Sequence, residues 1–144
     1  MTDRLLRSLL LISLGCAVVA ASSPKGTKTS AETALQRIQR TVARIDAEAK
    51  TPEGETRVVS RLSAQLGVSR DSLQAEHDAW GLGYGEVAMA YGFARASRNG
   101  STPADVVAMR SAGTGWLDIA KALGVKVDTV ASRMKRHVGP KSAH

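Results

Sequence analysis

Apolar residues recur along most of the chain at intervals of three and four, the spacing of one face of an α-helix. The clearest stripe predicts an amphipathic helix over 31–50 and consists of Leu35, Ile38, Val42 and Ile45. Ser30 is the predicted N-cap, and the turn sequence at 51–54 ends this helix. Further apolar stretches, separated by glycines, predict helices over 55–66, 70–80, 85–98, 103–111, 116–123 and 128–137. No stretch alternates like a strand, so the predicted fold class is all-α.

Two internal repeats organise the predicted helical repeat domain, 55–137. The first aligns 62–73 with 119–130 and suggests two helix-turn-helix-like units. The second aligns 81–88 with 113–120 through the pattern Gly-x-Gly-aromatic-x-acid-aliphatic-Ala. No Gly-Lys-Ser/Thr sequence or βαβ context accompanies Gly-x-Gly, so we predict a packing role rather than a phosphate cradle. The small residues that would let another helix approach closely are Ala88, Gly92 and Ala96.

The second unit has a local resemblance to a known DNA-binding motif. The sequence WLDIAKALGVKVDTVASRMKR at 116–136 resembles the helix-turn-helix of the promoter-reading domain in extracytoplasmic-function sigma factors. Ala120, Gly124 and Val130 lie where that motif has its small residue, turn glycine and apolar anchor. The tandem Gly-x-Gly-Trp/Tyr helix starts also resemble small exported bacterial proteins of unassigned function, a resemblance that implies no activity.

The sigma-factor resemblance implies a DNA-binding alternative in which 128–137 is the recognition helix. The residues that would contact base edges or phosphates are Lys126, Ser132, Arg133, Lys135 and Arg136. The same glycine and small-residue spacing also arises wherever two short helices pack at a steep angle, so helix packing alone is the other interpretation.

The first 21 residues are typical of a signal peptide. Arg4 and Arg7 precede the uncharged run Leu9–Ala21, which is shorter than the roughly 20 residues that span a bilayer. Small residues before Ala21 favour cleavage there, followed by a flexible linker over 22–30. The alternatives are a hydrophobic core helix in the cytoplasm and a lipoprotein modified at Cys16.

Charge is concentrated at the ends of the predicted mature chain. The 144 residues carry a net charge of +7, yet 51–128 contains eight bases and nine acids. In contrast, 129–144 contains four bases and no acid, including the basic tail at 138–144. We therefore expect an unknown protein or an anionic envelope component as the partner, with nucleic acid as the alternative. Membrane contact is expected only through an uncleaved signal or a lipidated Cys16.

The sequence contains no pattern typical of catalysis or metal binding, so we predict neither an enzyme nor a cofactor. Cys16 is the only cysteine, and His77, His137 and His144 are far apart. Within Glu76-His77-Asp78, consecutive residues on a helix point in different directions, which predicts a solvated helix end. Glu53 and Glu55 are predicted to be surface charges. A possible groove for a peptide or sugar involves three aromatic residues: Trp80, Tyr84 and Trp116.

These features predict an exported, small, all-α protein that serves as a binding or interaction module of the cell envelope, in the periplasm or outside the cell. The alternative is a DNA-binding helix-turn-helix protein that is not exported.

Overall fold

Seven α-helices and no strand make up the part of the chain that the computed structural model describes, residues 29–138 with side chains to Arg136. In chain order they are α1 (Ser30–Glu48), α2 (Pro52–Leu66), α3 (Arg70–Trp80), α4 (Tyr84–Ala96), α5 (Pro103–Ser111), α6 (Trp116–Ala122) and α7 (Val127–Val138). The predicted all-α fold class is confirmed. The predicted signal peptide with Cys16, most of the linker and nearly all of the basic tail lie outside the described residues.

Local capping sets the helix starts and explains where they differ from the predicted bounds. Thr29, rather than Ser30, is the N-cap of α1, because the Thr29 hydroxyl and the Glu32 carboxylate each accept a backbone N–H from the other residue. The Thr51 hydroxyl caps α2, which therefore begins at Pro52 rather than at 55. The other five helices match their predicted bounds to within two residues.

The amphipathic stripe of α1 faces the core as predicted. Ile38 and Ile45 are fully buried, and Leu35 and Val42 are partly buried against the core. The arginines of the same helix, Arg37, Arg40 and Arg44, are exposed. α1 packs mainly against α7 and α4, so the first helix of the described chain is a structural partner of the last.

α4 is the central helix of the fold and is apolar on most sides, as expected of a helix surrounded by others. It contacts α1, α2, α3, α5 and α7, and the Phe93 side chain near its end is fully buried. Gly85 allows α1 to approach closely, because a Cβ at Gly85 would lie 2.6 Å from the Val42 carbonyl oxygen. On another side, a Cβ at Gly92 would lie 3.1 Å from Val130 Cγ1 of α7.

The first internal repeat forms two turns of the same shape. Gly67 and Gly124 have φ values of +58° and +63°, a left-handed conformation that favours glycine. In each turn the next residue, Val68 or Val125, donates its backbone N–H to the carbonyl five residues earlier, at 3.2 Å and 2.8 Å. The α2–α3 and α6–α7 units are therefore structural counterparts at their turns.

The end of α4 binds both turns at equivalent positions. The Arg95 guanidinium donates to the Leu66 carbonyl at the end of α2. The Arg98 backbone N–H donates to the Leu123 carbonyl, the counterpart of Leu66, at 3.3 Å. Because the last carbonyls of a helix lack partners within the helix, these bonds stabilise both helix ends and fix them relative to α4.

Candidate anion-binding surface and adjoining cavity

One face of α7 packs against α1 and α4, and the exposed remainder of the helix carries cations. The apolar side chains recur at helical spacing and are buried: Val127, Val130, Ala131 and Met134. Arg133, Lys135 and Arg136 are exposed, and we call these three residues the α7 cationic surface. No acidic residue follows Asp128 in the chain, so no nearby carboxylate in the same helix offsets these charges.

Asp128, in the first turn of α7, is paired with a residue of α1. The Arg37 guanidinium donates to Asp128 Oδ1 at 2.7 Å, and both side chains are about half exposed, at 51% and 55%. An ion pair this exposed contributes little stability, about 0–1 kcal/mol. The consequence of this ion pair is electrostatic. Arg37 neutralises the charge of Asp128, so Asp128 does not pair with the cations of the α7 cationic surface.

α1, which packs directly against α7, carries further exposed cations in its second half. Gly85 of α4 lies against Val42, so this part of α1 also lies against the start of α4. Arg40 and Arg44, both exposed, flank Val42 in the sequence.

All five predicted nucleic-acid contact residues are exposed, but they are spread along the α6–α7 unit. Lys126 lies in the turn before α7, and Ser132 lies about one turn of helix before Lys135 and Arg136. At the helical rise of about 1.5 Å per residue, Lys126 and Lys135 are separated by roughly 13 Å along the axis of α7. The structure therefore places Arg133, Lys135 and Arg136 within the last two turns of α7, with Arg133 and Lys135 on different sides of the helix, and leaves Lys126 apart.

The three aromatic residues of the predicted groove lie on three different helices: Trp80 ends α3, Tyr84 begins α4 and Trp116 begins α6. Tyr84 is buried at the start of α4, whereas Trp116 packs on Phe93, with ring centroids 5.4 Å apart. Phe93 is roughly 13 Å beyond Tyr84 along the helix axis. Trp80 is partly buried against the core at the end of α3. The structure thus does not bring these rings into a shared groove.

The Gly-x-Gly sequence before α4 is occupied by a carboxylate from α1. Asp46 Oδ1 accepts the Gly85 backbone N–H at 2.8 Å. A Cβ at Gly83, the N-cap, would lie 2.6 Å from the same oxygen. Because Asp46 already interacts with the positive end of the α4 dipole, this helix start has a structural role and is not an open anion site.

The residues at 76–78 do point in different directions, but two of them pack rather than face solvent. Glu76 accepts the Tyr91 hydroxyl at 2.8 Å, and the His77 ring stacks on Tyr84 at 4.1 Å with Nδ1 donating to the Leu82 carbonyl. The predicted solvated helix end is therefore wrong for Glu76 and His77, since both are part of the α3–α4 contact. Asp78 is exposed.

Glu55 is likewise more than a surface charge. The Tyr84 hydroxyl donates to Glu55 Oε1 at 2.8 Å and links the start of α4 to α2. Burial, and then this hydrogen bond, raise the pKa of Tyr84 well above its usual value. Glu53 is exposed, as predicted.

A cavity of about 140 Å³ lies between α2, α4 and α7, next to the α7 cationic surface. Its walls are mostly apolar: Leu62, Leu66, Ala88, Gly92 and Met134. Two arginines, Arg95 and Arg133, also line it, together with Gln65, and none of its lining residues is acidic. Arg133 therefore belongs to both the cationic surface and the cavity.

The sequence did not identify Asp46, Gln65 or Arg95 as members of a site. Each acts across helices that are distant in the chain, and helical periodicity carries no information about such contacts. The one available indication was the small-residue spacing of Ala88 and Gly92, which predicted close helix approach and also leaves the space that the cavity occupies.

Comparisons with protein-family models, with curated proteins and with solved structures give no match for this chain. Among the described residues, no group of three or more His, Cys, Asp or Glu side chains is placed to hold a metal ion. Within the same part of the chain, no helix has both the length and the hydropathy needed to cross a bilayer.

Proposed function

We propose that the protein is an exported binding module of the cell envelope that holds a phosphate-bearing anionic partner on the α7 cationic surface. The observation that carries this proposal is the exposure of Arg133, Lys135 and Arg136 on a helix whose acid, Asp128, is paired with Arg37. Arg40 and Arg44 of the neighbouring α1 add charge of the same sign. Export rests on the signal-like pattern of residues 1–21.

If the α7 cationic surface binds the partner electrostatically, removing cations from α7 should weaken binding more than removing the same number of cations elsewhere. We would compare the chain starting at Ser22 with the double variants K135Q/R136Q and R70Q/K121Q, which remove equal charge from exposed positions on α7 and elsewhere. The first double should weaken binding to anionic lipid vesicles or to polyphosphate by about ten- to thirtyfold, at roughly 1 kcal/mol per cation. The second should change it little. Equal losses for both doubles would contradict a localised surface.

The two probes also distinguish the source of the phosphate. Preference for vesicles indicates lipid headgroups, whereas preference for polyphosphate indicates a soluble or wall-associated polymer. In both arms, raised salt should weaken binding, because exposed charges are screened within about 10 Å at 0.1 M ionic strength.

Export itself is tested by fractionating the native host and taking an intact mass. The proposal predicts a chain that begins near Ser22 in the periplasm or the medium. A full-length chain confined to the cytoplasm would overturn export and favour the DNA-binding alternative.

The DNA-binding alternative is favoured by one observation, the exposure of Ser132 and Arg133 on the helix that follows the Gly124 turn. However, the same turn joins α2 to α3, and α3 carries Asp71, Glu76 and Asp78 against a single arginine. A turn that recurs before an acidic helix is explained by packing, so its shape is weak support for DNA recognition.

A titration against a pool of DNA duplexes tests this alternative directly. Specific recognition predicts that some sequences stay bound at raised salt and that Arg133→Ala costs roughly 1–3 kcal/mol at one base pair. Uniform weak binding that disappears with salt would exclude a sequence-specific regulator.

A further inference from the structure

The cavity between α2, α4 and α7 has the size and lining of a small-ligand site. Its volume is about 140 Å³, and aliphatic side chains of all three helices form its walls. A dry aliphatic cavity of roughly 150 Å³ accommodates a benzene ring in other proteins, so an apolar body of about six carbon atoms suits this one.

The space exists because α4 presents two very small residues towards α7. Ala88 and Gly92 lie on one face of α4, and Val130 of α7 already lies close to Gly92. α4 and α7 are thus in close contact at Gly92 and Val130. One turn away, Ala88 and Met134 line the cavity between the two helices. Tight packing at Gly92 limits how far the cavity can collapse.

The charged groups at the cavity define the chemistry of its ligand. Arg95 donates to the Gln65 and Leu66 carbonyls, which holds its guanidinium in position at the end of α2. Arg133 is exposed, and within the described part of the chain it takes part in no ion pair. A guanidinium presents parallel N–H donors that match a carboxylate.

We propose that this cavity binds a small monocarboxylate with a compact apolar body, an aromatic or branched aliphatic acid. The apolar body lies among Leu62, Leu66 and Met134, and the carboxylate accepts hydrogen bonds from Arg133. The positive charge of Arg95, which also lines the cavity, further favours the carboxylate. Arg133 is shared with the α7 cationic surface, but this inference goes beyond the envelope partner and does not depend on it, because Lys135 and Arg136 line no part of the cavity.

The test is a calorimetric or NMR titration of the chain starting at Ser22 with benzoate and with 3-methylbutanoate. Acetate, which lacks the apolar body, and benzyl alcohol, which lacks the charge, are the matched controls. At least one of the two acids should bind saturably and about tenfold or more tightly than either control, since a charged hydrogen bond contributes about 1.5–3 kcal/mol.

Variants locate the binding. Arg133→Gln should weaken acid binding about tenfold, whereas Lys121→Gln, an exposed cation of α6 that lines no part of the cavity, should leave it unchanged. Ala88→Leu, which fills the cavity, should abolish binding, and circular dichroism checks that this variant folds. Absence of saturable binding by both acids, or equal effects of Arg133→Gln and Lys121→Gln, would overturn the proposal. Neither result would affect vesicle or polyphosphate binding through Lys135 and Arg136.

Discussion

In this protein, several side chains cap or anchor a helix other than the one to which they belong. Asp46 of α1 occupies the capping position of α4, where the N-cap is Gly83 and offers no side chain. The Glu55 carboxylate and the His77 ring hold Tyr84 from two other helices. These contacts explain the pair of residues at the start of α4. Gly83 leaves room for the Asp46 carboxylate, and Tyr84 packs against His77 and donates a hydrogen bond to Glu55.

The two N-cap glycines of the second repeat should therefore differ in tolerance to substitution. Gly83→Ala should lower the free energy of unfolding by about 1–2 kcal/mol, because its Cβ displaces the capping carboxylate of Asp46. Gly115→Ala should cost less, about 0.5–1 kcal/mol, since the nearest atom to a Cβ there is Asp118 Oδ2 at 3.5 Å and only the general preference for glycine over alanine at an N-cap is lost. Urea unfolding of both variants measures the difference, and similar losses would contradict the Asp46 cap.

Because Asp46→Ala and Gly83→Ala remove the same cap, their losses of unfolding free energy should not add. The double variant should lose little more than the more damaging single variant. Fully additive losses would show that Gly83 matters for another reason.

Tyr91 should produce a loss of stability at alkaline pH. Burial, and then the hydrogen bond to Glu76, raise the pKa of Tyr91 from 10.0 to about 12. The folded state then holds this proton more tightly than the unfolded state, so stability falls as pH rises from about 10 to about 12.

Tyr91→Phe should flatten that alkaline decline, with the remaining slope coming from Tyr84, whose pKa is also raised. Urea unfolding of both proteins across the alkaline range is the measurement. Parallel slopes for Tyr91→Phe and the wild-type chain would show that Tyr91 ionises equally in both states.

At the scale of elements, the helices were predictable because their determinants are local. The stripe of α1, the Thr102-Pro103 start of α5 and the turn glycines each act within a few residues. The start of α2 differs from the predicted bound because Pro52, which the sequence pattern assigns to a turn, is the first helical residue after the Thr51 cap. Glu76, His77 and Glu55 were placed in solvent because their partners come from other helices.

The equivalent turns predict equal sensitivity at Gly67 and Gly124. Replacing either glycine with alanine should cost about 1 kcal/mol, the penalty of a left-handed conformation for a residue with a Cβ. Asparagine, which tolerates this conformation better, should recover part of the loss. Chemical unfolding of the four variants tests the equivalence, and a neutral effect at one glycine would show that the two turns differ in solution.

At the scale of the whole molecule, α4 connects the two helix-turn-helix-like units, and the candidate sites lie where α7 meets its neighbours. The α7 cationic surface lies on a helix that packs against α1, whose arginines are also exposed, and these two helices are far apart in sequence. The cavity needs α2, α4 and α7 together. The charge of the last helix was visible in the sequence, but the pairing of Asp128 with Arg37 and the cavity depend on tertiary packing alone.

The most direct test of the central claim is an NMR map of backbone amide shifts as polyphosphate is added to the chain starting at Ser22. We expect the largest shifts on 132–136, with smaller shifts on α1 near Arg40 and Arg44, and we expect all of them to diminish as salt is raised. Largest shifts on α3, on the 124–126 turn or scattered over the molecule would contradict a binding surface on α7.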